Sequence, residues 1–196
     1  MACLLCTVSF AQNRKSSRKS AVYTRSAGIT ISLPWANLYS YHDYEQAATA
    51  SKGGFIGLGL SAFYRHKNNK ISVNTGSTYD LRAPMGPIDF GKTGIYTSVS
   101  SFIVEANFHH TLHKNIGLVA GVNYVRYKFH LVDYDNSTGY DRYDPTLGLT
   151  TGLEIIPKKH FALAVFYRPA LVGYGTQQYW HVVTLDLRFD IPVWKK

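Results

Sequence analysis

The sequence predicts an all-β chain of eight antiparallel strands, on three observations. From Gly28 onward apolar and polar residues alternate with a period of two, the period of a strand whose two faces meet different surroundings. Glycine, proline and asparagine-rich breaks divide this alternation, and no segment shows a helical period. Short and long connections follow one another in strict alternation. The eight runs span residues 28–36, 54–66, 70–79, 95–111, 116–131, 146–156, 161–171 and 179–191.

The connections predict an up-and-down meander. The short ones are residues 67–69, 112–115 and 157–160, which are hairpin turns of ordinary length. The long ones are residues 37–53, 80–94, 132–145 and 172–178. A meander with this order gathers the short turns and both chain ends at one end, here called the turn end. The long loops gather at the other, here called the loop end.

Each run separates an apolar face from a polar face. The last run is the clearest, with Val183, Leu185 and Leu187 opposite Thr184 and Asp186. A barrel in a membrane turns the apolar face outward, whereas a soluble lipocalin-like barrel turns it inward, so alternation leaves both open. The polar face is mostly Gly, Ser, Thr and Asn rather than Lys and Glu, which suits the narrow interior of an eight-stranded barrel. This composition favours the membrane orientation.

Aromatic residues on the apolar face support the same orientation. They recur near the strand ends, and the two sets within a strand lie about 25–30 Å apart along the membrane normal. This spacing predicts two aromatic girdles that flank a hydrocarbon layer. The loop-end set is Tyr96, Tyr124, Tyr167 and Tyr179, and the turn-end set is Tyr64, Phe108, Phe161 and Phe189.

The N-terminus is interpreted as a secretory segment. Residues 1–11 contain both cysteines, Cys3 and Cys6, and end in Ser9-Phe10-Ala11, small residues at the −3 and −1 positions of a signal-peptidase site. The alternative is an ordinary apolar N-terminal strand. The expected division is a signal-peptide remnant at 1–11, a basic periplasmic segment at 12–27 and the barrel at 28–196.

This arrangement resembles the small eight-stranded outer-membrane β-barrels, the OmpA/OmpX/OmpW-like barrel domains, especially those of the Bacteroidota. The resemblance rests on the pattern of runs and connections over the whole chain after the N-terminal segment. It implies an eight-stranded antiparallel up-and-down transmembrane β-barrel in the outer membrane, with periplasmic termini and contact with outer-membrane lipid and lipopolysaccharide.

The inward face is expected to hold a charged cluster that plugs the barrel. Buried charges are costly unless they are paired, so three acids and three arginines should neutralise one another, with asparagines as bridges. A proton- or ion-conducting role is the less favoured interpretation. The cluster is Arg65, Glu105, Glu154, Arg168, Asp186 and Arg188, and the bridging residues are Asn74, Asn107 and Asn123.

Charge is distributed unevenly along the chain, which carries a net charge of +9. Basic residues gather at the turn end and the termini, a solvated rim, and no recognition helix or aromatic platform indicates nucleic-acid binding. Arg126 and Lys128 continue the apolar parity beyond Tyr124, so they are candidate contacts for lipopolysaccharide phosphates, although a solvated strand extension is the favoured interpretation. The loop-end segments are rich in Tyr and Asp, which suits binding of a protein or glycan.

Metal and catalytic sites are not predicted, and no cofactor is expected. Residues 133–144 place oxygen ligands at alternating positions, as calcium loops do, but depart from the EF-hand pattern, so a polar surface loop is preferred. His109, His110 and His113 are read as exposed turn histidines rather than metal ligands. His42 with Asp43, and His181, are the only candidates for a lipid-modifying enzyme, and no Ser-His-acid set follows from parity.

The expected function is non-enzymatic: envelope integrity, or surface binding and adhesion through the loops. The first alternative is a narrow conduit for small apolar molecules, the second a soluble lipocalin-like binding barrel. Five inward apolar residues keep the conduit alternative open. Pro34 and Pro169 are candidate bulges where the barrel wall could open, and the alternative is that they lie at strand ends. The five residues are Phe63, Ile103, Val119, Val125 and Phe166.

Overall fold

The computed structural model describes residues 25–43, 48–54, 57–79, 96–113, 115–133, 138–158, 160–173 and 178–196. The signal-peptide and calcium-loop segments at 1–11 and 134–137, and the predicted loop 80–94, lie outside these residues. Within them there is no helix long and apolar enough to cross a membrane, which does not bear on strands. The strands are β1 Arg25–Asp43, β2 Ala48–Gly54, β3 Gly57–His66, β4 Asn69–Tyr79, β5 Tyr96–His113, β6 Ile116–Asp133, β7 Thr138–Lys158, β8 Phe161–Gly173 and β9 Gln178–Lys195.

The nine strand segments form one closed antiparallel barrel of eight strands. β2 and β3 both pair with β1, and the pairs Asn37↔Gly54 and Ser32↔Gly59 share one register. β2 and β3 are therefore two segments of the same barrel strand. The remaining strands pair in chain order, and β9 returns to β1 from Ser26↔Lys195 to Asp43↔Gln178. Closure removes the exposed sheet edges that would invite aggregation. The predicted fold class is confirmed.

The apolar face points outward. In β3 the alternation of buried and exposed residues is regular, with Phe63 buried and Leu58 and Leu60 exposed to 62% and 52%. The interior instead holds Ser, Thr, Asn and charged side chains. Water would not tolerate so large an apolar exterior, whereas lipid does. The lipocalin-like alternative, which requires the apolar face inside, is therefore wrong.

Two of the four predicted long loops, 37–53 and 132–145, are largely strand where the structure describes them. Residues 37–43 and 48–53 pair with each other, and Val132 and Asp133 pair with Gly139 and Thr138. These extensions lack apolar alternation because neither face of a strand beyond the hydrocarbon layer needs an apolar surface, so a pattern search reads them as loops. The barrel therefore rises above the apolar band as a wall of paired strands.

Both flagged prolines adjoin irregularities. The β1–β9 register shifts between Pro34 and Ala36, and the β7–β8 register shifts opposite Ala170 and Val172. Proline has no N–H to donate to a ladder, so strands tolerate it at bulges. The prediction of bulges is confirmed at Pro34 and one residue beyond Ala170, close to Pro169.

The turn end holds the hairpin turn between β3 and β4 and the first and last described residues of the barrel. Lys67, in the turn between β3 and β4, has φ of 52°, the left-handed geometry that a tight hairpin requires. The backbone N–H of Arg25 donates to the carbonyl of Lys196 at 3.1 Å, and that of Lys196 donates back at 3.0 Å. β1 therefore begins three residues before the expected boundary at 28, because the C-terminal strand supplies hydrogen-bond partners that the alternation does not reveal.

Candidate functional site

The candidate functional site in the described residues is the barrel interior, where polar and charged side chains are buried together. Of the six charged residues predicted for the inward face, Glu105, Glu154, Arg168, Asp186 and Arg188 are at most 6% exposed. Arg65 lies nearer the turn-end opening, with its side chain 30% exposed. Alternation places them inside because each shares its parity with small polar residues of its strand.

The cluster nearer the loop end, here the upper cluster, is centred on Glu105 of β5. Arg168 of β8 reaches across the lumen and donates from Nε to Oε2 at 2.9 Å and from Nη2 to Oε1 at 3.3 Å. Asn74 and Thr150 donate to the same carboxylate at 3.0 and 2.9 Å, and Arg168 also donates to Thr184 at 3.0 Å. A buried ion pair is tolerated when further hydrogen bonds satisfy it, as here.

The cluster nearer the turn end, here the lower cluster, is centred on Glu154 and Asp190. Arg188 donates to Glu154 at 2.6 Å. Asp190 accepts from Arg65 at 2.5 Å and Thr30 at 2.6 Å, and Lys70 Nζ lies 3.4 Å from it.

Two of these charges were not in the predicted cluster. The basic residues of the turn end were predicted to form a solvated rim. Lys70 is one of them, but it is only 6% exposed and faces the interior. Asp190 takes Arg65 as a partner in place of the three predicted acids. Lys70 lies two residues before the inward Ser72, and Asp190 lies two residues after the inward Arg188. The alternation of faces, continued two residues toward the turn end, therefore predicts that both point inward. With them, the network has four cations and four carboxylates: Arg65, Lys70, Arg168 and Arg188, with Glu105, Glu154, Asp186 and Asp190.

The bridging asparagines differ in what they do. Asn74 donates to Glu105, and Asn123 donates to Thr150 at 3.0 Å and to the carbonyl of Leu149 at 2.6 Å. Asn107 has no hydrogen-bond partner for its amide among the described residues. It lies against Gly121, where a Cβ atom would collide with its Oδ1. Asn107 therefore fills space rather than bridging charges.

A Ser-His-acid chain is present, which parity did not suggest. The Ser72 hydroxyl lies 2.9 Å from His109 Nε2, and His109 Nδ1 lies 3.2 Å from Glu154 Oε1. This is the order of a hydrolytic triad, but Ser72 is 1% exposed and Glu154 is already held by Arg188. A catalytic serine must reach its substrate. The chain fits a role as a buried polar connection of the lower cluster.

The histidine prediction is therefore wrong for His109, which is 3% exposed rather than an exposed turn residue. His110 faces outward, as the alternation requires, and its Nδ1 lies 2.7 Å from Asn69 Oδ1. In the described residues no group of three or more His, Cys, Asp or Glu is arranged to hold a metal ion.

The side chains of the enzyme candidates His42 and Asp43 lie outside the described residues. His42 and Asp43 belong to β1, where their backbone pairs with Tyr179 and Gln178. His181, on β9, has its Nδ1 3.2 Å from the Tyr167 hydroxyl.

The segment 138–144, taken as part of a loop with calcium-like spacing, is strand β7. Asp144 is buried inside and Asp141 is exposed outside, because successive strand residues point to opposite faces. These two carboxylates cannot meet at one ion.

The five inward apolar residues pack inside the barrel. Phe166 is 1% exposed, with the guanidinium carbons of Arg168 and Arg188 at 4.9 and 5.4 Å from its ring centroid. The Arg65 guanidinium carbon and the Lys70 Nζ lie 5.5 and 5.8 Å from the centroid of the Phe63 ring. Aromatic faces attract cations, so these rings complete the plug. Ile103, Val119 and Val125 are also buried, at 6%, 4% and 1%.

The outward aromatics occupy the predicted faces where they are described. The turn-end ring pair Phe161 and Phe189 stacks across β8 and β9 with centroids 5.1 Å apart. Tyr64, Phe108 and Tyr167 are 43%, 47% and 41% exposed. Tyr124 is half-buried. The side chains of Tyr96 and Tyr179 lie outside the described residues.

A cationic patch stands on the outer surface of β6 and β7, beyond Tyr124. Arg126 and Lys128 place their charges 5.5 and 5.8 Å from the centroid of the Tyr143 ring. Lys128 also pairs with Asp141 at 2.8 Å, and this hydrogen bond raises the pKa of Lys128 above its usual value. The loop-end surface formed by Arg126, Lys128, Asp141 and Tyr143 is called the rim patch.

Two solved proteins are similar to this chain in structure. Neisserial surface protein A (NspA) has 14% identity and a TM-score of 0.56, and the match covers 84% of this chain and 99% of NspA. Ail, the attachment invasion locus protein of Yersinia pestis, solved in complex with the heparin analogue sucrose octasulfate, has 14% identity and a TM-score of 0.53, over 85% of this chain and 99% of Ail. No protein-family model matches the sequence, and no curated protein matches it. At these identities the likeness shows a shared fold, that of the small eight-stranded outer-membrane β-barrels.

Proposed function

We propose that this chain is an integral outer-membrane β-barrel with no enzymatic activity, which stabilises the envelope and binds partners through its loop-end surface. The observation that carries the proposal is the inversion of the barrel. Apolar residues cover the outside, while ion pairs such as Glu105–Arg168 fill the inside. A bilayer is the solvent that makes such an exterior stable. Its short turns and termini then face the periplasm, and the aromatic sets lie at the two interfaces.

A closed lumen argues against the conduit alternative. Both clusters cross the interior between strands on opposite sides of the barrel. The inward aromatic residues Phe63 and Phe166 pack against the arginines of these clusters. A cavity lined by residues of both clusters has a volume of about 30 Å³, the space of one or two waters. An apolar solute has no continuous apolar path past these charges.

A heat-modifiability gel on fractionated membranes tests the proposed location. The unboiled protein should be found in the outer-membrane fraction and migrate differently from the boiled protein, because a closed barrel resists detergent until heated. Planar-bilayer recordings on the same preparation should show no stable conductance. A soluble periplasmic protein without a gel shift would overturn the membrane proposal, and a steady conductance would overturn the closed lumen.

We further propose that the rim patch contacts lipopolysaccharide phosphates. Arg126 is exposed and lies two residues beyond Tyr124, at the height where phosphates meet the interface in the proposed orientation. Arginine binds phosphate through charge-assisted hydrogen bonds. Lys128 shares its charge with Asp141, but both side chains are well exposed, at 44% and 37%, and a surface pair of this kind yields readily to a phosphate. The Ail complex with a sulfated sugar is consistent with anionic ligands on this fold.

The double variant Arg126→Ala/Lys128→Ala tests this contact. A matched control, Arg25→Ala/Lys67→Ala, removes the same charge from exposed turn-end positions. Lipopolysaccharide retained after mild extraction should fall in the rim variant and stay unchanged in the control. Heparin-column binding of refolded, lipid-free protein separates the sources of anion. Unchanged lipopolysaccharide retention would overturn the proposal, and heparin binding lost at the same time would point to a sulfated glycan.

A further inference from the structure

The interior contains polar atoms that no described residue satisfies, and three of them belong to residues around one cavity. Asn74 Oδ1, Asp186 Oδ1 and Arg188 Nε are buried without a hydrogen-bond partner among the described residues. Asn74, Asp186 and Arg188 all line the cavity of about 30 Å³. Asp186 and Arg188 are 4% and 3% exposed, so bulk solvent does not reach them freely. Buried polar groups in folded proteins are almost always paired, with protein or with ordered water.

The distance between two of these residues indicates a mediator. Arg188 Nε lies 4.0 Å from Asp186 Oδ2, too far for a direct hydrogen bond. A gap of this length has room for a bridging water that hydrogen-bonds both groups. The space exists because Gly59 and Gly76, which are paired on β3 and β4, bring no side chain into the cavity.

The charges around the cavity favour a neutral ligand. Glu105 and Asp186 oppose an anion, and the guanidiniums of Arg168 and Arg188 oppose a metal cation. A ligand here must accept a hydrogen bond from Arg188 Nε and donate to the oxygens of Asp186 and Asn74. Water does both, and a polar cavity needs only about 10–15 Å³ to hold one.

We propose that one ordered water occupies this cavity and bridges Asp186, Arg188 and Asn74. It connects the two clusters, since Asn74 binds Glu105 of the upper cluster and Arg188 binds Glu154 of the lower cluster. In the described residues Asp186 Oδ1 has no hydrogen-bond donor. The proposed water donates a hydrogen bond to this oxygen. The water then joins the Glu105–Arg168 pair to the Glu154–Arg188 pair through hydrogen bonds.

Solution NMR on the full chain refolded in micelles tests the site. The Arg188 Nε–H should show a cross-relaxation peak to a long-lived water. The peak should disappear in Asn74→Leu, which removes one ligand and fills the space. It should remain in the control Asn107→Leu, which alters another buried asparagine that does not line the cavity. A wild-type protein without the peak would overturn the proposal, as would its persistence in Asn74→Leu.

A crystal structure of the wild-type barrel gives a second readout that requires no variant. Density for a single water within hydrogen-bond distance of the three atoms is expected, with no anomalous signal after a rubidium chloride soak. An empty cavity, a direct Arg188 Nε–Asp186 hydrogen bond, or a rubidium peak would each overturn it.

Discussion

Arg168 and Glu105 are 63 positions apart in sequence and meet across the barrel through two hydrogen bonds, at 2.9 and 3.3 Å, with both side chains 6% exposed. Their strands, β8 and β5, are not neighbours in the sheet. The pair therefore ties opposite parts of the wall together, and it shows how the polar interior holds the barrel in place of an apolar core.

Removing one partner of this pair should destabilise the barrel strongly. Arg168→Met leaves Glu105 buried without its cation, a change that typically costs about 3–5 kcal/mol. The double variant Glu105→Met/Arg168→Met should recover at least half of that loss, because no unpaired charge remains. Urea unfolding in lipid vesicles, followed by the gel shift, measures both. Arg126→Met, at an exposed position, is the control, and an equal effect of Arg168→Met and Arg126→Met would contradict the interpretation.

Asp190 should matter more than its position near the turn end suggests. Asp190→Asn removes the charge that faces both Arg65 and Lys70. Hydrogen bonds to charged groups contribute about 1.5–3 kcal/mol each, so we expect a loss of about 2 kcal/mol in the same assay. Thr30→Val removes only one hydrogen bond to Asp190 and should cost about 1 kcal/mol. If the two variants are equally stable, Asp190 does not hold the lower cluster.

Interior glycines should resist enlargement while neighbouring outward residues accept it. A Cβ atom at Gly121 would collide with Asn107 Oδ1 and the Ala106 carbonyl. Gly121→Val should therefore cost about 1–3 kcal/mol from overpacking. Ala120→Val, one residue away on the exposed face, should be nearly neutral. Refolding yield and thermal gel shift compare the two, and equal tolerance would show that the interior has more room than the packing indicates.

The pKa of Lys128 should fall when its partner is removed. The hydrogen bond that Lys128 donates to Asp141 raises this pKa, so the pair stabilises the folded protein below the ordinary lysine pKa, and that contribution is lost as the pH rises through the folded value. In Asp141→Asn the pKa should return toward the ordinary lysine value. NMR titration of the Lys128 side chain measures the shift. An unchanged pKa would mean that the pair does not persist in solution.

The sequence by itself determined the strands, their order and their faces. A period of two fixes which side chains share a face, so residues such as Leu60 and Ser61 could be assigned to opposite sides without coordinates. Composition then selected the orientation, because Gly, Ser, Thr and Asn fill a narrow interior and apolar residues suit lipid. The same parity identified six of the eight charged residues of the interior network, and it missed Lys70 and Asp190.

Only the tertiary structure decided which charges meet. Partners across the lumen depend on the stagger of the closed sheet, which parity does not encode, so Arg65 pairs with Asp190 and Asp186 stands 4.0 Å from Arg188. The heights of the walls were also decided there. Residues such as Thr138 and Asp144 form strand because the paired backbone of β6 supplies their hydrogen bonds, and above the apolar band no alternation is required to keep them in place.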